Sequence, residues 1–134
     1  MQRIARIAAA TFLLVGGGVH LELWRSGYRG IRYIGPLFVA NVAVSALLVV
    51  ALLIRSDVRV AIAGMLFSVG SLVALVLSRT TGLLGFTERA WTDMAVQATT
   101  AELGAIVAIA LVLVSRHRPM PALARIPVRR QRSS

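Results

Sequence analysis

The chain contains no cysteine, which excludes disulfides, thiolate-held metals and cysteine nucleophiles and leaves the redox state of its compartment open. Lysine is missing too, so all 15 basic side chains are arginine. The short signatures of common chemistry do not occur either. There is no nucleophile elbow, P-loop, Gly-rich dinucleotide motif or zinc-binding helix, which argues against a hydrolase or a nucleotide-dependent enzyme, and no cofactor is expected. Charge is nearly absent from four long stretches, residues 7–21, 33–54, 60–78 and 94–115, where Glu102 is the one exception.

What remains is strongly apolar. Hydrophobic residues make up 57% of the 134 positions and the mean hydropathy is +0.79, above the roughly 45–50% apolar content of soluble domains. Each uncharged stretch approaches the roughly 20 residues that carry a helix across ~30 Å of hydrocarbon. Helices satisfy their own backbone groups where water is absent. The sequence therefore predicts an all-α membrane protein, a bundle of four transmembrane helices over residues 1–115, with spans at about 5–24, 34–54, 60–78 and 94–115. Residues 116–134 follow as an Arg-rich tail whose Pro119, Pro121 and Pro127 oppose helix and core formation, giving an expectation of disorder. Arg3 and Arg6 before an apolar stretch resemble a signal peptide. The stretch runs on to Trp24 without an Ala-x-Ala site, so it reads as an uncleaved first span.

Four spans put the N-terminus, the 55–59 turn and the tail on one side. That side carries ten arginines: Arg3, Arg6, Arg55, Arg59, Arg116, Arg118, Arg125, Arg129, Arg130 and Arg132. The other side carries five: Arg25, Arg29, Arg32, Arg79 and Arg89. The positive-inside rule then places both termini in the cytoplasm and the two longer loops outside. The net charge of +10 is distributed around apolar spans, which suits anionic lipid at the tail better than nucleic acid.

Trp24, Tyr28, Tyr33, Phe86 and Trp91 gather at the expected outer face, where an aromatic belt at headgroup level accounts for such rings. The competing reading is recognition of a ligand or protein there, with Glu22, Trp24, Tyr28, Glu88 and Trp91 as the candidate residues. Small residues supply contact faces in every span. Of these, the triple Gly16-Gly17-Gly18 demands either a closely packed neighbour or a bend below His20.

Polar residues at membrane depth are the most informative. Glu102 lies eight residues past Met94, about 12 Å along its helix. An acid at the bilayer centre costs roughly 2.5–3.5 kcal/mol, which nine Leu, Ile and Val residues of the same span offset with roughly 3–5 kcal/mol. His20, Asn41 and Ser71 fall at similar depth, about 6–12 Å below the outer ends of their spans. The expectation is one cluster of His20, Asn41, Ser71 and Glu102, extended by Ser45, Ser68 and Thr99. Such a cluster either fixes helix register or forms a proton, ion or ligand site. His20 with Glu22 is a weak metal signal without a third ligand, and His117 falls on the opposite side from His20, which argues against a bis-histidine haem.

The segments His20-Leu-Glu-Leu-Trp24, Gly27-Tyr-Arg, Ile34-Gly-Pro-Leu-Phe38 and Thr81-Gly-Leu-Leu-Gly-Phe-Thr-Glu88 together resemble small four-span membrane proteins of actinobacteria to which no activity is assigned. The resemblance covers most of the chain but not its tail and implies a plasma-membrane location, with no catalytic residue to carry over. Two functions follow as expectations. One is a non-enzymatic accessory or assembly partner of a membrane complex, paired with another protein or a second copy. The other is a small carrier or ligand-binding bundle using the polar site.

Overall fold

The computed structural model of the chain describes residues 1–55 and 57–116; of the expected tail 116–134, Arg116 ends the last helix and the rest lies outside the described residues. Four helices account for most of the described residues: α1 (Gln2–Arg25), α2 (Ile34–Ile54), α3 (Val58–Arg79) and α4 (Asp93–Arg116). Each is long and apolar enough to cross a membrane, so the chain is an all-α membrane protein built as a four-helix bundle. α1, α3 and α4 run beyond the uncharged stretches because Arg3, Arg25, Arg79 and Arg116 are accommodated at helix ends. A long Arg stem lets the charged head reach water while the backbone stays helical.

Large apolar side chains point outward on all four helices. Leu14, Leu47, Leu66 and Val107 are at least 60% exposed. A surface of this kind needs lipid as its solvent. The interior is built from small residues instead. Ala9, Ala61 and Ala105 are fully buried and pack with Leu13, Leu52, Ile109 and Val112, in the half of the bundle nearer the N-terminus. Small side chains let helix backbones approach, and dispersion contacts then hold them together in lipid.

At this terminal end, Arg6 of α1 reaches across to the end of α2. Its Nε donates to the Leu52 carbonyl at 2.8 Å and its terminal nitrogen to the Leu53 and Arg55 carbonyls, each at 3.1 Å. These are carbonyls left without helical partners at the α2 C-terminus, where α2 has no basic residue of its own. Asp57 caps the start of α3 by accepting from the Arg59 amide at 2.9 Å.

The glycine triple is resolved in favour of close packing, with α1 unbroken through it. Gly16 faces Glu102 and Ala101 of α4, Gly17 faces Ser45 of α2, and Gly18 faces outward with no neighbour. α1 thus packs along both α2 and α4, and α3 packs along α4. α2 and α3 touch at few places, and a cleft opens between them toward the loop end.

Candidate functional site

The polar residues placed at one depth by the sequence divide into two groups in space. Asn41, Ser45, Ser68, Ser71 and Glu102 converge between α2, α3 and α4. The Asn41 amide donates to Ser71 Oγ at 2.8 Å, crossing from α2 to α3, and Ser45 Oγ donates to the Asn41 carbonyl oxygen at 3.4 Å. Glu102 is 4% exposed. Its carboxyl occupies the room left by the missing side chain of Gly16, where an added Cβ would lie 3.6 Å from Oε1. The Ser68 and Ser71 hydroxyls lie beside it, but Ser68 Oγ is fully buried and closes no hydrogen bond of normal geometry. Thr99 is half-buried and turns back to the Ala95 carbonyl at 2.8 Å, outside this group.

His20 stands apart from Glu102. Its Nδ1 donates to the Gly16 carbonyl one turn earlier in α1 at 2.8 Å, and its ring meets Phe38 of α2 edge-on at 5.2 Å between centroids. The direction of His20 around α1 carries it toward α2 and the cleft.

The loops supply a second assembly, which brings together two of the loop candidates, Tyr28 and Glu88. The short 3-10 turn Tyr28–Gly30 carries Tyr28 over the bundle. There its hydroxyl donates to Glu88 Oε2 at 2.7 Å, and its ring packs on Phe38 and Phe86. Glu88 also pairs with Arg79 at 3.3 Å, and Arg79 donates to the Glu88 and Ala90 carbonyls at 2.7 and 2.6 Å. Burial pushes the Tyr28 phenol above its ordinary value, and the hydrogen bond and charge of Glu88 add to this against the opposing charge of Arg79.

A two-residue hairpin sets up this contact. Leu83 and Phe86 exchange backbone hydrogen bonds of 2.8 and 2.9 Å, with Leu84 and Gly85 at φ 51° and 81°. Positive φ at both central positions is the type I′ geometry, which folds the chain sharply and returns Phe86 and Glu88 over the bundle. Tyr28 and Phe86 are therefore half-buried in a stack in which Tyr28 packs on Phe38 and Phe86 packs on Tyr28. Tyr33 and Trp91 stay exposed with Arg32 and Arg79 over their faces, Trp24 is half-buried, and Glu22 is exposed. Arg79 was legible in the sequence only as one of five arginines at this end; its position nine residues before Glu88 was the available signal.

Beneath this roof the cleft encloses about 390 Å³. Its inner wall is His20 and Leu23 of α1 with Ala95 and Ala98 of α4, and its sides are the facing surfaces of α2 and α3, including Asn41 and Ser71. The rim residues Leu37, Val44 and Leu66 are 38–68% exposed, so the cleft opens sideways through the lipid-facing surface. Glu102 is not among its lining residues. Among the described residues no group of three or more His, Cys, Asp or Glu side chains is placed to hold a metal ion. Comparison with protein-family models, curated proteins and solved structures finds no match.

Proposed function

We propose that this chain is a small multi-pass protein of the plasma membrane, with both termini cytoplasmic, that binds an apolar ligand drawn from the lipid phase. The observation that carries this reading is the cleft itself. Its volume falls in the roughly 300–1,000 Å³ range of small-molecule sites, and it combines apolar walls with a few convergent polar groups. His20, Asn41 and Ser71 place three polar side chains in its wall, where polar groups are costly unless paired or used.

The test is recovery of the ligand from protein extracted in native lipid discs. Mass spectrometry of the wild type is expected to find a small molecule or lipid enriched over the surrounding bilayer, and Gly70→Phe is expected to lose it. Gly70 lines the cleft, and a Cβ there meets nothing within 4 Å, so the added ring fills the cleft without disturbing the core. A wild type with the same lipid profile as its bilayer would refute the reading. Tags at the two termini, probed from each side of sealed vesicles, are expected to report the cytoplasmic compartment together.

An accessory role in a membrane complex is the second reading. It draws support from a shallow groove of about 370 Å³ between α1 and α4 at the terminal end, lined by Ala5, Ala8 and Ala108 with Ile4 and Leu111. Small residues of this kind admit a partner helix. Co-purification of a defined protein in mild detergent supports this role, and migration of the chain alone counts against it.

A further inference from the structure

We infer that the cleft takes an uncharged membrane-soluble alcohol or phenol, whose hydroxyl donates to His20 Nε2 while its apolar body enters sideways between α2 and α3. This rests on the ligand-binding reading above and adds the chemistry of the ligand.

The hydrogen-bond inventory of the wall singles out His20. A carbonyl oxygen can only accept, so the contact with Gly16 puts a proton on Nδ1, and in the neutral ring Nε2 is left as an acceptor. Nε2 has no partner among the described residues, and the Phe38 contact fixes the plane of the ring beside the cleft. Tyr28, Asn41, Ser71, Ser78 and Glu88 each hold at least one hydrogen bond, and Arg79 bonds through one terminal nitrogen while its buried Nε, a donor, has no partner among the described residues, so His20 Nε2 is the open acceptor of the wall. The Asn41 amide gives a hydrogen to Ser71, and its carbonyl oxygen receives one from Ser45. A ligand that brings a donor completes the wall, whereas an ether or ester oxygen meets Nε2 as acceptor against acceptor.

Charge argues in the same direction. The cation nearest the top of the cleft, Arg79, is neutralised by Glu88 and held by two backbone carbonyls, all through one terminal nitrogen, while its Nε stays buried without a partner among the described residues. A phosphate or carboxylate headgroup would enter a wall with no uncompensated positive charge and with the Glu88 carboxylate close by. The desolvation of such an anion would be left unanswered. An uncharged hydroxyl avoids this cost, and the rest of the lining, Leu23, Ile34, Phe38, Phe67, Leu75 and Leu83, suits a hydrocarbon body.

The experiment uses the full chain in lipid nanodiscs with a diazirine-bearing dodecanol as photolabel. Dodecan-1-ol, its methyl ether and dodecanoate serve as competitors. In the wild type the alcohol is expected to compete about tenfold better than the ether, equivalent to about 1.4 kcal/mol, with dodecanoate weakest. His20→Phe keeps an aromatic ring and removes the acceptor, and is expected to bring alcohol and ether to within about twofold. Gly70→Phe is expected to abolish saturable labelling of α2 and α3. Equal competition by alcohol and ether, a preference for dodecanoate, or a tenfold preference that survives His20→Phe would each overturn the hydroxyl assignment. So would the absence of saturable labelling in the wild type. Ligand binding as such is decided separately, by the lipid-disc enrichment, and stands or falls on that result.

Discussion

A methyl group added at Gly17 would sit 3.0 Å from the Ser45 Cβ, whereas one added at Gly18 meets nothing within 4 Å. The two adjacent alanine substitutions are therefore expected to act in opposite directions. Gly17→Ala forces α1 and α2 apart and is expected to lower stability by about 1–3 kcal/mol, as overpacking does. Gly18→Ala is expected to raise it by up to about 1 kcal/mol through helix propensity. Unfolding of both variants in mixed micelles, followed by circular dichroism, checks the pair; equal effects would contradict the packing described. Glu102 gives a second residue-level prediction. It stands behind the cleft wall among Gly16, Ser68 and Ser71, and an amide supplies a donor for the orphaned Ser68 oxygen. Glu102→Gln is expected to change stability by less than about 1 kcal/mol and to retain the bound ligand, both measured in the same preparations. Loss of the ligand from a normally folded variant would move Glu102 into the binding site itself. Rise per residue sets how far along their helices these residues lie, but it leaves the direction around each helix open. That direction separates His20, turned toward Phe38, from Glu102, turned toward α3.

Among the elements, the two loops at the roof carry the least regular structure and the clearest strain. Leu84 adopts a left-handed backbone at φ 51° while 61% exposed, so its side chain gains little in return for a conformation that disfavours it by roughly 1–2 kcal/mol. Leu84→Asn is expected to stabilise the bundle by about 1 kcal/mol, read as a rise in the thermal midpoint. The roof also predicts a titration. In Tyr33→Phe, Tyr28 is the remaining tyrosine, and its ultraviolet tyrosinate signal is expected above the ordinary phenol value of 10.0. A phenol raised in the folded state stabilises the fold below that ordinary value, and the contribution disappears as pH rises through the raised one. Adding Glu88→Gln is expected to move the transition back down, since it removes a carboxylate charge beside the phenol. Helices were far easier to read from the sequence than this roof. The expected span 34–54 coincides with α2, and the other helices differ at their ends where arginines continue the helix. Tyr28 and Glu88 lie 60 residues apart, and their contact depends on a hairpin whose turn contains a residue, Leu84, that turn chemistry alone would not select.

For the molecule as a whole, three of the four sides of the bundle are closed by extended helix packing, and the fourth, between α2 and α3, is not. Asn41→Leu tests how that side is held, since among the described residues the Asn41 contact to Ser71 is the side-chain hydrogen bond that spans it. Loss of this bond is expected to cost about 0.6–1.7 kcal/mol in micelle unfolding, the range found for such bonds in membranes. A typical bond of this type, about 0.6 kcal/mol, is comparable with thermal energy at room temperature. Among the described residues the α2–α3 seam thus carries one cross-helix side-chain hydrogen bond, of an energy that ordinary fluctuations reach, over the sparsest helix packing in the bundle. If the proposed ligand binds, this is the side on which a guest from the bilayer meets the least resistance.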